Sequence, residues 1–181
     1  EVQIEASANP TPAAHHRAGH ATVFIDDEVG YKFYTASDNT CYYRKTTNGG
    51  GSWGAAVQFA NLTDCAAVAV WYDQWTPGNS GSAIHIATME TGASNDGLFY
   101  NRLDTSSDTL LAGANPVNAV SNSAQTPTFS ESLNTHTITV ATDGTIYLAA
   151  NDNADSFVVS CAASCDQASS WSEVGSNPFD L

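Results

Sequence analysis

The sequence predicts an all-β chain. Short apolar–polar alternations replace helical periodicity, turn-forming residues separate them, and the same order of runs recurs in successive groups. In the first group Ala21–Ile25 (ATVFI) leads through the acidic turn Asp26-Asp27-Glu28 into GYKFYTA, and TCYYRK follows. In the second, Ala66–Asp73 (AAVAVWYD) is followed by SAIHIATME and GLFYNRL. In the third, His136–Ala150 (HTITVATDGTIYLAA) reads as a hairpin turning at Asp143-Gly144, and SFVVSC comes next. Each group is a three-strand meander with a polar connection to a fourth strand.

Composition narrows the function classes. With 181 residues and 42% hydrophobic content, residues 1–181 can form one domain with a real core. Nineteen acids against five Lys+Arg give a formal charge of −14, a surface that repels phosphate, so neither nucleic acid nor anionic membrane is expected as a partner. No apolar run approaches the roughly 18 residues of a membrane span, and no basic-then-apolar leader is visible. The four cysteines, Cys41, Cys65, Cys161 and Cys165, lack zinc spacing, so no metal or other cofactor is expected. Their even number and the polar, weakly charged surface favour disulfides and an extracellular or cell-surface setting. If paired, Cys161–Cys165 closes a local loop and Cys41–Cys65 ties neighbouring strands, although spacing alone leaves the connectivity open. Asn61-Leu62-Thr63 fits the N-glycosylation acceptor pattern.

Two turn segments align. Thr46–Trp53 (TTNGGGSW) and Ser164–Trp171 (SCDQASSW) share a hydroxyl first, Asn or Asp third, a small residue fifth, a hydroxyl seventh and Trp eighth. This pattern resembles the Asp box of sialidase-like (BNR-repeat) β-propellers, Ser/Thr-x-Asp-x-Gly-x-Thr/Ser-Trp, a structural turn between the third and fourth strands of a blade. The box positions are Thr46, Asn48, Gly50, Ser52 and Trp53, then Ser164, Asp166, Ser170 and Trp171. Asn48 stands where the family has Asp, and Ala168 where it has Gly; the middle group keeps only Thr109-Leu110 of its box. The resemblance implies four-stranded antiparallel blades at about 15–60, 62–112 and 128–175, with residues 1–7 as a possible closing edge strand. It also implies that the Trp packs between sheets. Three blades do not close a propeller, so self-association or a partner chain is expected to complete it.

The resemblance further places the functional face at the starts of the inner strands and at the loops after the second strands. That selects Arg17, His20, Asp38, Asp64, His136 and Asp152 as ligand-binding candidates, with the loops Ser37-Asp38-Asn39, Glu90–Asp96 and Asn151-Asp152-Asn153. Trp75, in a Pro/Gly/Asn/Ser loop, is the candidate for stacking on a sugar face. Sialidases of this family hold their substrate carboxylate with three arginines, whereas this chain has only Arg17, Arg44 and Arg102, of which Arg17 alone precedes an inner strand. His15, His16 and His20 lack an acid or Cys at ligand spacing and are expected to bond backbone. No residue is assigned a catalytic role. The expectation is a non-catalytic module for glycan binding or structural assembly. The alternative is a sialidase-like glycoside hydrolase whose remaining blades come from another chain or are missing from this one.

Overall fold

The computed structural model describes residues 21–91, 97–122, 135–151, 155–175 and 179–180. They form three antiparallel sheets, each a meander. Sheet I runs β1 (Thr22–Phe24), β2 (Val29–Thr35), β3 (Cys41–Thr47), β4 (Val57–Ala60). Sheet II runs β5 (Cys65–Tyr72), β6 (Ala83–Glu90), β7 (Gly97–Asp104), β8 (Thr109–Leu110), and β9 (Val117–Asn118) also pairs with β7. Sheet III runs β10 (Thr135–Val140), β11 (Ile146–Asn151), β12 (Asp155–Cys161), β13 (Ser172–Glu173), and β14 (Phe179–Asp180) pairs with the other end of β12. The second group therefore extends to Asn118, beyond the boundary at 112 expected from sequence. In sheets II and III the outer strand is split into two short pieces, which breaks up the open edge.

Sheet II lies in the middle. Val23, Tyr31, Phe33, Tyr43 and Phe59 of sheet I pack on Val68, Val70, Tyr72, Ile84, Ile86 and Leu103. On the opposite face Ala69, Ala87, Met89, Leu98 and Tyr100 meet Ile138, Val140, Ile146, Leu148, Phe157, Val159 and Trp171. This explains the strand patterns. In β10, side chains alternate exposed and buried because one face alone is covered; β6 is buried from Ile84 to Glu90 because both are. The turn at Asp143-Gly144 forms as its residues require. Gly144 has φ +86°, and Asp143 Oδ1 accepts the Thr145 N–H at 2.9 Å.

Two disulfides form, Cys41–Cys65 and Cys161–Cys165. The first joins the start of β3 to the start of β5, so it ties neighbouring sheets and not neighbouring strands of one sheet. It closes a loop spanning a sequence separation of 24. Replacing both cysteines with alanine is expected to lower the unfolding free energy by about 3 kcal/mol, chiefly by freeing the unfolded chain. Urea denaturation of the variant, compared with the parent, checks this; an unchanged midpoint would contradict it.

Candidate functional site

The ends of sheets I and II where β3 and β5 start come together through backbone contacts. Asn39 carbonyl accepts the Cys65 N–H at 2.9 Å, and Asp64 carbonyl accepts the Thr91 N–H at 3.1 Å. Glu90, 4% exposed, takes the Thr63 N–H on Oε1 at 2.7 Å. Asp38 is exposed and its Oδ1 accepts the Thr40 N–H at 3.0 Å, shaping a turn in which Asn39 has φ +60°. Asp38, Asp64 and Glu90 thus share one end of the molecule, as the sequence predicts. Arg17, His20, Asp152 and the rest of the Glu90–Asp96 loop beyond Thr91 lie outside the described residues.

His136 is not at that end's surface. It is 4% exposed between sheets II and III, where Nε2–H donates to the Ala87 carbonyl at 3.2 Å and Nδ1 has no partner. Burial pushes its pKa down to about 4, against a weaker upward pull from the Ala87 bond. Strand alternation turns its side chain into the core.

Trp75 is half-buried. It closes the 3₁₀ turn Asp73–Trp75 and meets Trp71 and Tyr72 edge-on, with ring centroids at 5.7 and 6.5 Å. The loop folds back because Trp71 Nε1–H donates to Thr76 Oγ1 at 3.0 Å and the Thr76 hydroxyl donates to the Val140 carbonyl of sheet III at 2.8 Å.

Beneath this loop lies a set of side chains that sequence reasoning missed. Tyr100 O–H donates to His85 Nδ1 at 2.8 Å, and His85 Nε2–H donates to Asp73 Oδ1 at 3.0 Å. Asp73 also accepts from Asn79 Nδ2 at 3.2 Å and, on Oδ2, from the Ala83 N–H at 2.9 Å. Burial alone raises the Asp73 pKa, but the bonds from His85, Ala83 and Asn79 outweigh it and hold the carboxyl below its ordinary value. Burial raises the Tyr100 phenol well above its usual range. Such a relay has the parts of acid–base catalysis. Tyr100 is 1% exposed and His85 6%, however, so no substrate reaches them; the set organises the 73–83 loop.

The two aligned turns differ. Thr46 Oγ1 accepts the Gly50 N–H at 3.0 Å and Asn48 Oδ1 accepts the Ser52 N–H at 2.8 Å, while Gly49 and Gly50 take φ +65° and +89°. Thr46 and Asn48 also bond through their side chains, as do Asn48 and Ser52. Trp53 is only half-buried, edge-on to Phe24 at 6.4 Å, and does not enter the space between sheets. In the second turn Trp171 is 3% exposed, packs on Tyr100 at 5.2 Å and donates Nε1–H to the Cys165 carbonyl. Asp166 is exposed there and takes the Gln167 side chain at 3.4 Å, in place of the backbone bond expected of it. A 3₁₀ turn, Ala168–Ser170, stands where the family glycine would act, because Ala168 does not supply positive φ. Among the described residues, no group of three or more His, Cys, Asp or Glu is placed to hold a metal ion.

No family model matches the chain, and no curated protein matches it. Its fold is similar to solved structures of a polysaccharide lyase of family PL25, an ulvan lyase. The form bound to -[GlcA(1-4)Rha3S]- has TM-score 0.54 at 10% identity, over 84% of this chain and 42% of that one. A second structure of the lyase gives TM-score 0.52 at 10% identity with the same coverage. The chain thus spans less than half the length of these structures. At such low identity the likeness shows the fold alone, an all-β arrangement of antiparallel sheets.

Proposed function

We propose that the chain is an extracellular, non-catalytic module that binds neutral glycan at the end carrying Asp38 and Asp64, its three sheets being successive blades of a propeller. The blade reading is supported by the meander order and by the placing of β5 beside both β10 and β2. The resemblance of the turn sequences to BNR repeats belongs to the same proposal. The two disulfides support an oxidising setting.

One observation carries the functional part: the Asp38 carboxylate at this end is a held, exposed acceptor. Exposed Asp38 accepts a backbone N–H, which fixes its direction and leaves lone pairs for donors. Sugar hydroxyls are such donors. The ligand bound to that lyase carries a uronate and a sulfate, whereas a chain of charge −14 repels such a polymer, so a neutral glycan fits this surface.

Affinity electrophoresis through gels holding a glucan, a mannan or a uronate polymer tests this. Retardation by a neutral polymer is expected, weakened roughly tenfold by the double substitution Asp38→Ala with Asp64→Ala, the loss of about two hydrogen bonds. No retardation by any neutral polymer, stronger retardation by the uronate, or new reducing ends after incubation would each refute it.

A further inference from the structure

Asn61-Leu62-Thr63 is the one Asn-x-Ser/Thr triplet of the chain whose middle residue is not proline; Asn9-Pro10-Thr11 is closed by its proline. Such a triplet can accept a sugar only where the fold leaves both of its polar side chains in solvent. This fold does. The triplet follows β4 directly and lies in the connection to β5, outside regular secondary structure. Asn61 and Thr63 are exposed, while Leu62 between them is partly buried and packs on the core shared by sheets I and II. The apolar residue is drawn in, and its two neighbours point out.

The backbone of the triplet is held. Asn61 N–H donates to the Ala114 carbonyl at 2.6 Å and Thr63 N–H to Glu90 Oε1 at 2.7 Å. Its side chains are not: among the described residues, neither the Asn61 carboxamide nor the Thr63 hydroxyl makes a hydrogen bond. Other asparagines are committed to the fold. Asn48 Nδ2 donates to Ser52 Oγ, Asn79 Nδ2 to Asp73 Oδ1, and Asn101 Nδ2 to the carbonyls of Phe59 and Gly113. A group attached at Asn61 therefore strips no partner from the carboxamide and buries no polar atom.

We propose that Asn61 is an N-glycosylation site, its donor a lipid-pyrophosphate-linked oligosaccharide. A bond forms between the Asn61 carboxamide nitrogen and the anomeric carbon of the first sugar. The bond from that carbon to the pyrophosphate oxygen breaks, the lipid pyrophosphate leaves with the electron pair, and one amide proton passes to base. Nothing is oxidised or reduced. The free Thr63 hydroxyl is the second group of the acceptor pattern. The inference rests on the extracellular setting proposed above and not on the binding of glycan. Protein made in a host that adds no glycan serves for the electrophoresis, so either idea can fail alone.

Expression of the full chain behind a cleavable signal sequence in a eukaryotic secretory host tests this. Intact mass is measured on cell-associated and exported protein, before and after peptide N-glycosidase; loss of the signal marks the molecules that entered the secretory path. A species heavier than the bare 19.0 kDa chain is expected. The glycosidase is expected to remove the added mass and to leave Asp at position 61 in the peptide map. Asn61→Gln and Thr63→Ala should each abolish the added mass, and Leu62→Val should keep it. Signal-cleaved protein of bare mass, or added mass that survives Asn61→Gln, would overturn the proposal.

Discussion

Asp73→Ala is expected to lower the unfolding free energy by about 3–5 kcal/mol, because it leaves several buried donors unpaired at about 1–3 kcal/mol each. Its side chain is 13% exposed and that of His85 7%. The substitution strips a partner at once from His85 Nε2, Asn79 Nδ2 and the Ala83 N–H. It also frees the 73–83 loop, which turns tightly enough that a Cβ at Gly81 would run into the Asp73 carboxylate. His85→Ala is expected to be nearly as damaging, and the double variant to lose at least 1 kcal/mol less than the sum. Chemical denaturation of the four proteins of that cycle decides the matter; additive losses would mean that the relay is not a unit. Because the folded Asp73 pKa lies below its unfolded value, its contribution is present above the ordinary carboxylate pKa and is lost as pH falls through the folded one.

A second acid-sensitive group lies between sheets II and III. The His136 pKa falls from 6.5 to about 4 on folding. Between these values the unfolded chain binds a proton that the folded chain refuses. Stability is therefore full above pH 6.5 and falls by about 3 kcal/mol as pH drops to 4, at 1.36 kcal/mol per pKa unit. Below that both states are protonated and the loss saturates. His136→Leu removes the titrating group and its unpaired Nδ1 while keeping volume, so its stability should stay flatter between pH 6.5 and 4. Equal slopes for parent and variant in a denaturation series across that window would show that His136 does not govern it.

How much of this was legible in the sequence follows from what decides each feature. The strands and their turns are local matters: alternation gives β10, and Asp143-Gly144 gives its hairpin. A shared end for Asp38, Asp64 and Glu90 was what the family resemblance implied, and the backbone contacts of Asn39, Asp64 and Thr91 bring them to one end. Burial of whole faces did not follow. His136 looks accessible as text, and only the stacking of sheet III removes it from solvent; the 3₁₀ turn leaves Trp75 half-buried. Asp73, His85 and Tyr100 meet through strand register, 12 and 15 residues apart in sequence. A trace was present in SAIHIATME, where a histidine interrupts a strand apolar on both sides and so implies a buried partner. The turn at Asp166 failed for a chemical reason, the methyl of Ala168 replacing a glycine.

The link between Cys41 and Cys65 has a bearing on how the protein meets proteases. The connection between sheets I and II, from Asn61 to Asp64, exposes Asn61 and Thr63. A cut anywhere in that stretch leaves Cys41 on one fragment and Cys65 on the other. The nicked molecule is therefore held as one covalent particle, with sheet I still seated on sheet II, and it comes apart only when a reductant follows the enzyme.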